Sequence, residues 1–250
     1  MKNLLLTLCY DGSAYHGWQV QKNASTVQEC LQDAIERVFG ARLPVVGCSR
    51  TDTGVHAHMF CCNFKTESPL PCERVIAALN AYLPFDIAVT ACRAVPGDFH
   101  ARYSCTAKEY RYLIWNSPVR NPFFEGRALH YNRVLDDVFL NEQSQLFLGK
   151  YDFSAFCAAG GSVQSKVRSV KSACVVREED FVSFFVTADG FLYNMVRIMV
   201  GTLLGIHEGK IERGSIRDII LSKDRARAGA TAPAQGLYLE HVCYEHDRGQ

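Results

Sequence analysis

The stretch GCSRTDTGVHA, Gly47 to Ala57, carries one carboxylate, Asp52, two positions after Arg50 and two before Gly54. It contains no second acid. Arg50 and Asp52 share strand parity, so an extended chain turns both to one side. A guanidinium roughly 4–6 Å from a carboxylate favours its ionised form at neutral pH. A solitary, ionised, oriented carboxylate suits a nucleophile or a stabiliser of developing positive charge, not a pair of acids sharing a proton. The plain alternative is an Asp-x-Gly turn, with the carboxylate accepting backbone N–H bonds and the glycine supplying positive φ.

Asp-Thr-Gly is also the signature of aspartic proteases, which need two aspartates on one proton. This chain has one such tripeptide, preceded by the polar Ser49 and Arg50, and an arginine opposes a shared proton. His56, His58, Cys61 and Cys62 resemble a metal cluster, but adjacent cysteines on a strand point to opposite faces, and zinc sites pair ligands two to four residues apart. His56 is better placed to pack or hydrogen-bond near Asp52. Farther on, Lys108, Tyr110 and Tyr112 alternate with Glu109 and Arg111. Interleaved aromatic and basic side chains on a strand suit base stacking and phosphate contact, or simply a half-exposed amphipathic strand. Arg197 lies inside the apolar run Met195–Gly201. A buried charge must reach a partner, for which Asp52 is a candidate, or open into a cleft.

The elements that position these residues follow from periodicity. Leu4–Tyr10 reads as a strand ending at Asp11-Gly12. Thr26-Val27-Gln28-Glu29 has capping-box spacing, and Val27, Leu31, Ala34, Ile35 and Val38 then share a helical face. Strands follow at Met59–Phe64, Ile87–Val95 and Thr106–Trp115, with a helix over Glu73–Tyr82. Val167–Val176 and Phe181–Thr187 read as a hairpin, Phe191–Ile206 as a helix and Leu237–Tyr244 as a last strand. Thr7–Tyr15 and Phe185–Tyr193 each run a strand into Asp-Gly, with tyrosine four residues after the aspartate. This predicts an α+β fold of two similar halves, 1–103 and 104–250. Each is an antiparallel sheet flanked by helices, the two joined in one continuous sheet with a positively lined cleft between them.

Composition sets the bounds. A chain of 250 residues, 48% hydrophobic, can bury a substantial core. With 27 Lys+Arg against 26 Asp+Glu the formal net charge is +1, so a basic surface has to be local. Eleven cysteines, odd in number and irregular in spacing, fit reduced thiols better than a disulfide framework. The N-terminal apolar run is too short for a signal peptide, and no run reaches the ~20 residues that span a bilayer. These features point to a soluble, intracellular protein.

Six blocks, in order and spread over nearly the whole chain, resemble the TruA family of tRNA pseudouridine synthases. They are Tyr10-Asp11-Gly12 with Gly17–Gln21, then Arg50–Ala57, Phe99–Arg102, Lys108–Tyr112, Phe191–Arg197 and Ala232–Leu239. The resemblance implies that Asp52 is the catalytic aspartate and that Tyr110 packs on the target uracil. It implies that Arg50 fills the space a flipped nucleotide leaves and that Leu237 lines the apolar side of the pocket; Arg197, on the residue reading above, joins them as a substrate-binding candidate. It further implies a cytoplasmic homodimer that acts on uridines in the tRNA anticodon stem-loop, without metal or organic cofactor. Cys48-Ser49 departs from the family's usual Ala-Gly; if that glycine has positive φ, Ser49 strains the loop and alters rate or substrate range. A tRNA-binding relative without catalysis and an aspartate-dependent hydrolase are the rival readings.

Overall fold

The computed structural model describes residues 1–161 and 163–245. In chain order they form β1 (Lys2–Tyr10), α1 (Val27–Phe39), β2 (Val46–Gly47), β3 (His56–Thr66), α2 (Cys72–Asn80) and β4 (Ile87–Val95). Next come β5 (Cys105–Trp115), β6 (Leu129–His130), α3 (Asp137–Ser144), β7 (Gly149–Asp152), β8 (Val167–Glu178) and β9 (Phe181–Ala188). The last are α4 (Met195–His207), α5 (Ile216–Ser222) and β10 (Leu237–Tyr244). The class is α+β, with helices packed on antiparallel strands.

Two compact units result: Met1–Thr106 together with the chain from Leu239 onward, and Ala107–Tyr238. Strands β5 and β10 each cross that division along the chain. The second half expected from sequence runs to 250, and its residues 246–250 lie outside the described residues.

In the first unit the strand order is β4-β1-β3-β10, with the short β2 on β3. Leu4, Leu6 and Leu8 of β1 stand opposite Phe64, Cys62 and Phe60 of β3, all buried. Helix α1 starts where its capping sequence places it: Thr26 Oγ1 accepts the Glu29 N–H, and Gly40 closes the helix at φ 72°. Its buried face is Val27, Leu31, Ala34 and Ile35. Helix α2 packs on β4.

In the second unit the order is β5-β9-β8-β7; β6 pairs with β5, in parallel. The antiparallel register sets Tyr110 opposite Val186 and Trp115 opposite Phe181. Both strands that run into Asp-Gly, β1 and β9, are interior strands of their units. Helix α4 starts four residues later than the apolar pattern predicts. Asn194 adopts the left-handed conformation (φ 59°, ψ 12°) just before it, and such a residue interrupts a right-handed helix. The eleven cysteines are free thiols, and burial pushes the Cys62 thiol well up. Among the described residues no helix is long and apolar enough to cross a membrane.

Candidate active site

The loop from Cys48 to Val55 leaves β2 and re-enters the sheet at β3. Its backbone is tied down at each end: the Cys48 N–H donates to Cys61 O at 2.8 Å, and the Cys61 N–H donates to Cys48 Sγ at 3.4 Å. Val55, 2% exposed, closes the far end with its N–H on Asp52 O at 3.2 Å. Between them Thr51 faces inward, 7% exposed, with its Oγ1 2.9 Å from the Tyr10 hydroxyl. The Trp18 N–H donates to Thr51 O at 3.1 Å and the Gly54 N–H to Tyr15 O at 3.2 Å. Trp18 is itself fixed, its ring stacked on Phe60 at 4.0 Å. Gly17 makes this approach possible, with φ at +81° and a position where a Cβ would lie 2.3 Å from Thr51 O.

This stretch is not a strand, and Thr51 within it is pinned inward. Arg50 is exposed and Asp52 partly exposed on either side of it. Ser49 does not strain the loop: it is not among the described non-glycine residues with positive φ, which are Glu179, Asn194 and Lys223. The condition under which Ser49 would strain the loop, a positive φ, is not met.

His56, 2% exposed, hydrogen-bonds beneath the loop: its Nδ1 accepts the Gly12 N–H at 3.0 Å and lies 3.2 Å from Asp11 Oδ1. His58 turns elsewhere, to Glu240 Oε2 at 2.8 Å.

The second unit holds the remaining residues singled out in the sequence. Tyr110 is 6% exposed, with the Phe191 ring edge-on at 4.9 Å and 81°. Tyr112 is fully buried and donates to Pro233 O at 2.8 Å, so of the two tyrosines this one is structural. Burial pushes its hydroxyl well up, partly opposed by the charge of Arg197. Arg197 Nε donates to Ala232 O at 2.7 Å and its Nη1 to Asn194 Oδ1 at 2.8 Å. The Ala232 N–H returns a bond to Arg197 O at 3.1 Å. Arg197 and Tyr112 thus anchor the consecutive residues Ala232 and Pro233, from which the chain runs to Leu237, 6% exposed at the start of β10.

Sequence reasoning did not assign the bracing done by Tyr10, Gly17 and Trp18, or the ring contact of Phe191. The signal was present in the first and fifth blocks, whose residues matched a pattern with no role attached to them.

Fold and loop together describe an α+β chain that holds one carboxylate, Asp52, on a loop braced by its own sheet. Residues 8–104 and 144–245 match the family model described as tRNA pseudouridine synthase. Curated relatives named tRNA pseudouridine synthase A include one from Thermoanaerobacter sp. (strain X514), 46% identical over 244 residues, covering 98% of this chain and 100% of the relative. Another, from Ruminiclostridium cellulolyticum, is 46% identical over 245 residues, and one from Clostridium acetobutylicum 45% over 244, each with the same coverage. The chain belongs to the tRNA pseudouridine synthase family, whose members are isomerases.

Proposed function

We propose that this chain isomerises uridine to pseudouridine in the anticodon stem-loop of tRNA, with Asp52 acting on the sugar of a flipped nucleotide. The observation that supports this reading is the loop pinned at Thr51, which fixes the backbone on both sides of the partly exposed Asp52.

The reaction breaks the N1–C1′ bond, turns the uracil and joins its C5 to the same sugar carbon. No atoms are added and nothing is oxidised, so the chemistry calls for no redox cofactor. As the bond breaks, positive charge builds on the sugar, and a fixed carboxylate stabilises it. Two balanced routes serve Asp52. In one, its oxygen bonds to C1′ as uracil leaves with the electron pair, and C5 then displaces it. In the other, it removes a sugar proton to give a glycal, to which uracil adds back. In both, C5 loses a proton and N1 gains one.

A uridine stacked in a stem is reached by flipping, which costs a few kcal/mol. In this reading Arg50 fills the gap, Tyr110 lies against the uracil, Leu237 closes the apolar side and Arg197 contributes positive charge toward the substrate. Apolar walls keep water from capturing the sugar. The protein works on tRNA in the cytoplasm, as a homodimer and without metal.

The test is an unmodified tRNA transcript incubated with the protein, then mapped for pseudouridine and assayed for free uracil. Mass-neutral conversion at anticodon stem-loop uridines is the expected result. Free uracil marks a hydrolase, and tight binding without conversion marks a binding protein. The reason to favour the last, strain at Ser49, is removed by the backbone geometry.

A further inference from the structure

Phe99-His100-Ala101-Arg102 belongs to the family pattern yet has no part in the chemistry above. Within the first unit this turn rests on a buried polar network. Asn63 Oδ1 accepts the Ala101 N–H at 2.8 Å, and the Asn63 amide donates to Asn3 Oδ1 at 3.0 Å. Asn3 donates in turn to the carbonyls of Pro96 and Phe99, at 2.9 and 3.0 Å. From the other side the Tyr244 hydroxyl donates to Ala101 O at 2.9 Å. Two buried amides are costly unless their polar atoms are met, and a network that meets them specifies one conformation.

What this network holds up is an exposed aromatic. His100 Nδ1 accepts the N–H groups of Arg102 and Tyr103 at 3.2 and 3.3 Å, and its ring stacks on Tyr103 with centroids 4.2 Å apart. Tyr103 is 78% exposed, with the Arg102 guanidinium 5.9 Å from its ring. Neither core packing nor solubility asks for a large ring fixed in that position.

Tyr103, Arg102 and His100 line a depression of about 240 Å³, along with Arg50, Gln28 and Trp18. Two arginines and no carboxylate line it, in a chain whose formal net charge is only +1. An aromatic face beside cations is the composition that takes a single-stranded nucleotide, with the base stacked and the phosphate at the arginines. We propose that this depression binds the nucleotide adjoining the target uridine, its base on Tyr103 and its phosphate at Arg102, beside the Arg50 that fills the gap. The inference rests on the proposed activity, in which Arg50 fills the space left by the flipped uridine; a depression lined by Arg50 lies where the neighbouring nucleotide passes.

The test pairs filter binding of an anticodon stem-loop RNA with steady-state pseudouridine formation on tRNA. Tyr103→Ala raises both Kd and KM by roughly tenfold, the loss of one stacked base, while the saturated rate falls far less. Tyr103→Phe keeps the ring and recovers most of the affinity. Tyr82→Ala removes another exposed tyrosine with an arginine over it, Arg37 at 5.5 Å, but outside the depression, and leaves Kd and KM where they were. An abasic substitution at one nucleotide beside the target reproduces the tenfold loss in the unaltered protein and adds nothing to Tyr103→Ala. Equal losses in Tyr103→Ala and Tyr103→Phe, or abasic losses that add fully to Tyr103→Ala on both sides of the target, overturn the proposal. Binding without any pseudouridine sinks the activity alone, whereas normal pseudouridine formation with Kd and KM unmoved in Tyr103→Ala sinks the subsite alone.

Discussion

The Tyr10 hydroxyl lies 2.9 Å from Thr51 Oγ1, a buried pair formed one residue ahead of Asp52. Tyr10 is the last residue of β1, an interior strand, so the rigid part of the first unit reaches directly into the loop. Thr51 is held inward, with Arg50 exposed and Asp52 partly exposed on either side of it. The backbone that carries Asp52 is therefore held by groups with no chemistry of their own.

Tyr10→Phe keeps the ring packed at 5.7 Å from Phe60 and removes only the hydroxyl. Losing one partner of a buried hydrogen bond costs about 1–2 kcal/mol. Urea unfolding should show that loss, and single-turnover rates should fall several-fold while tRNA affinity holds. A rate equal to the unaltered protein's would detach Tyr10 from the orientation of Asp52.

Gly17→Ala forces a Cβ to within 2.3 Å of Thr51 O, on top of about 1–2 kcal/mol for a left-handed non-glycine residue. Gly40→Ala is the matched comparison: its φ is +72° and nothing lies within 4 Å of the added Cβ. Both variants should lose stability, and Gly17→Ala alone should lose most of its turnover. Equal turnover in the two would mean that the approach of Gly17 to the loop has no bearing on the reaction.

Arg197→Met removes the donors to Ala232 O and Asn194 Oδ1, and charge-assisted bonds of this kind are worth about 1.5–3 kcal/mol. Lysine lacks the guanidinium fork, so Arg197→Lys should recover only part of the loss. Hydrogen exchange at the Ala232 amide, which donates to Arg197 O, should quicken in both variants and more in Arg197→Met.

Where apolar periodicity was long, the sequence was easy to read. Strands β4 and β10 begin and end where the pattern puts them, and Thr26 caps α1 as its spacing requires. The region between β5 and β8 was opaque, because β6 has two residues, β7 four and α3 eight, too few to show a period. Its order comes from distant partners instead. The buried Asn116 amide donates to Tyr131 O and Arg133 O, and its Oδ1 accepts from Leu135 N and Arg177. Nothing in the residues around Asn116 announces those partners. The site divides in the same way. The place of the Asp52 loop between β2 and β3 was legible from the apolar residues on either side, whereas the sign of φ at Ser49 and the carbonyl that meets Arg197 depend on the folded backbone.

Tyr110→Phe preserves the edge-on contact with Phe191 and removes a hydroxyl able to assist proton removal at uracil C5. Single-turnover rates should fall more than tRNA affinity. Unchanged single-turnover kinetics would remove any proton-transfer role for Tyr110.

The most direct measurement is tritium release from tRNA labelled at uridine C5, made with Asp52→Asn alongside a filter-binding measurement on the same tRNA. Asparagine keeps the size of the side chain and removes its charge, so release should vanish while binding stays within a few-fold of the unaltered protein. Release near the unaltered rate would contradict the assignment of the chemistry to Asp52.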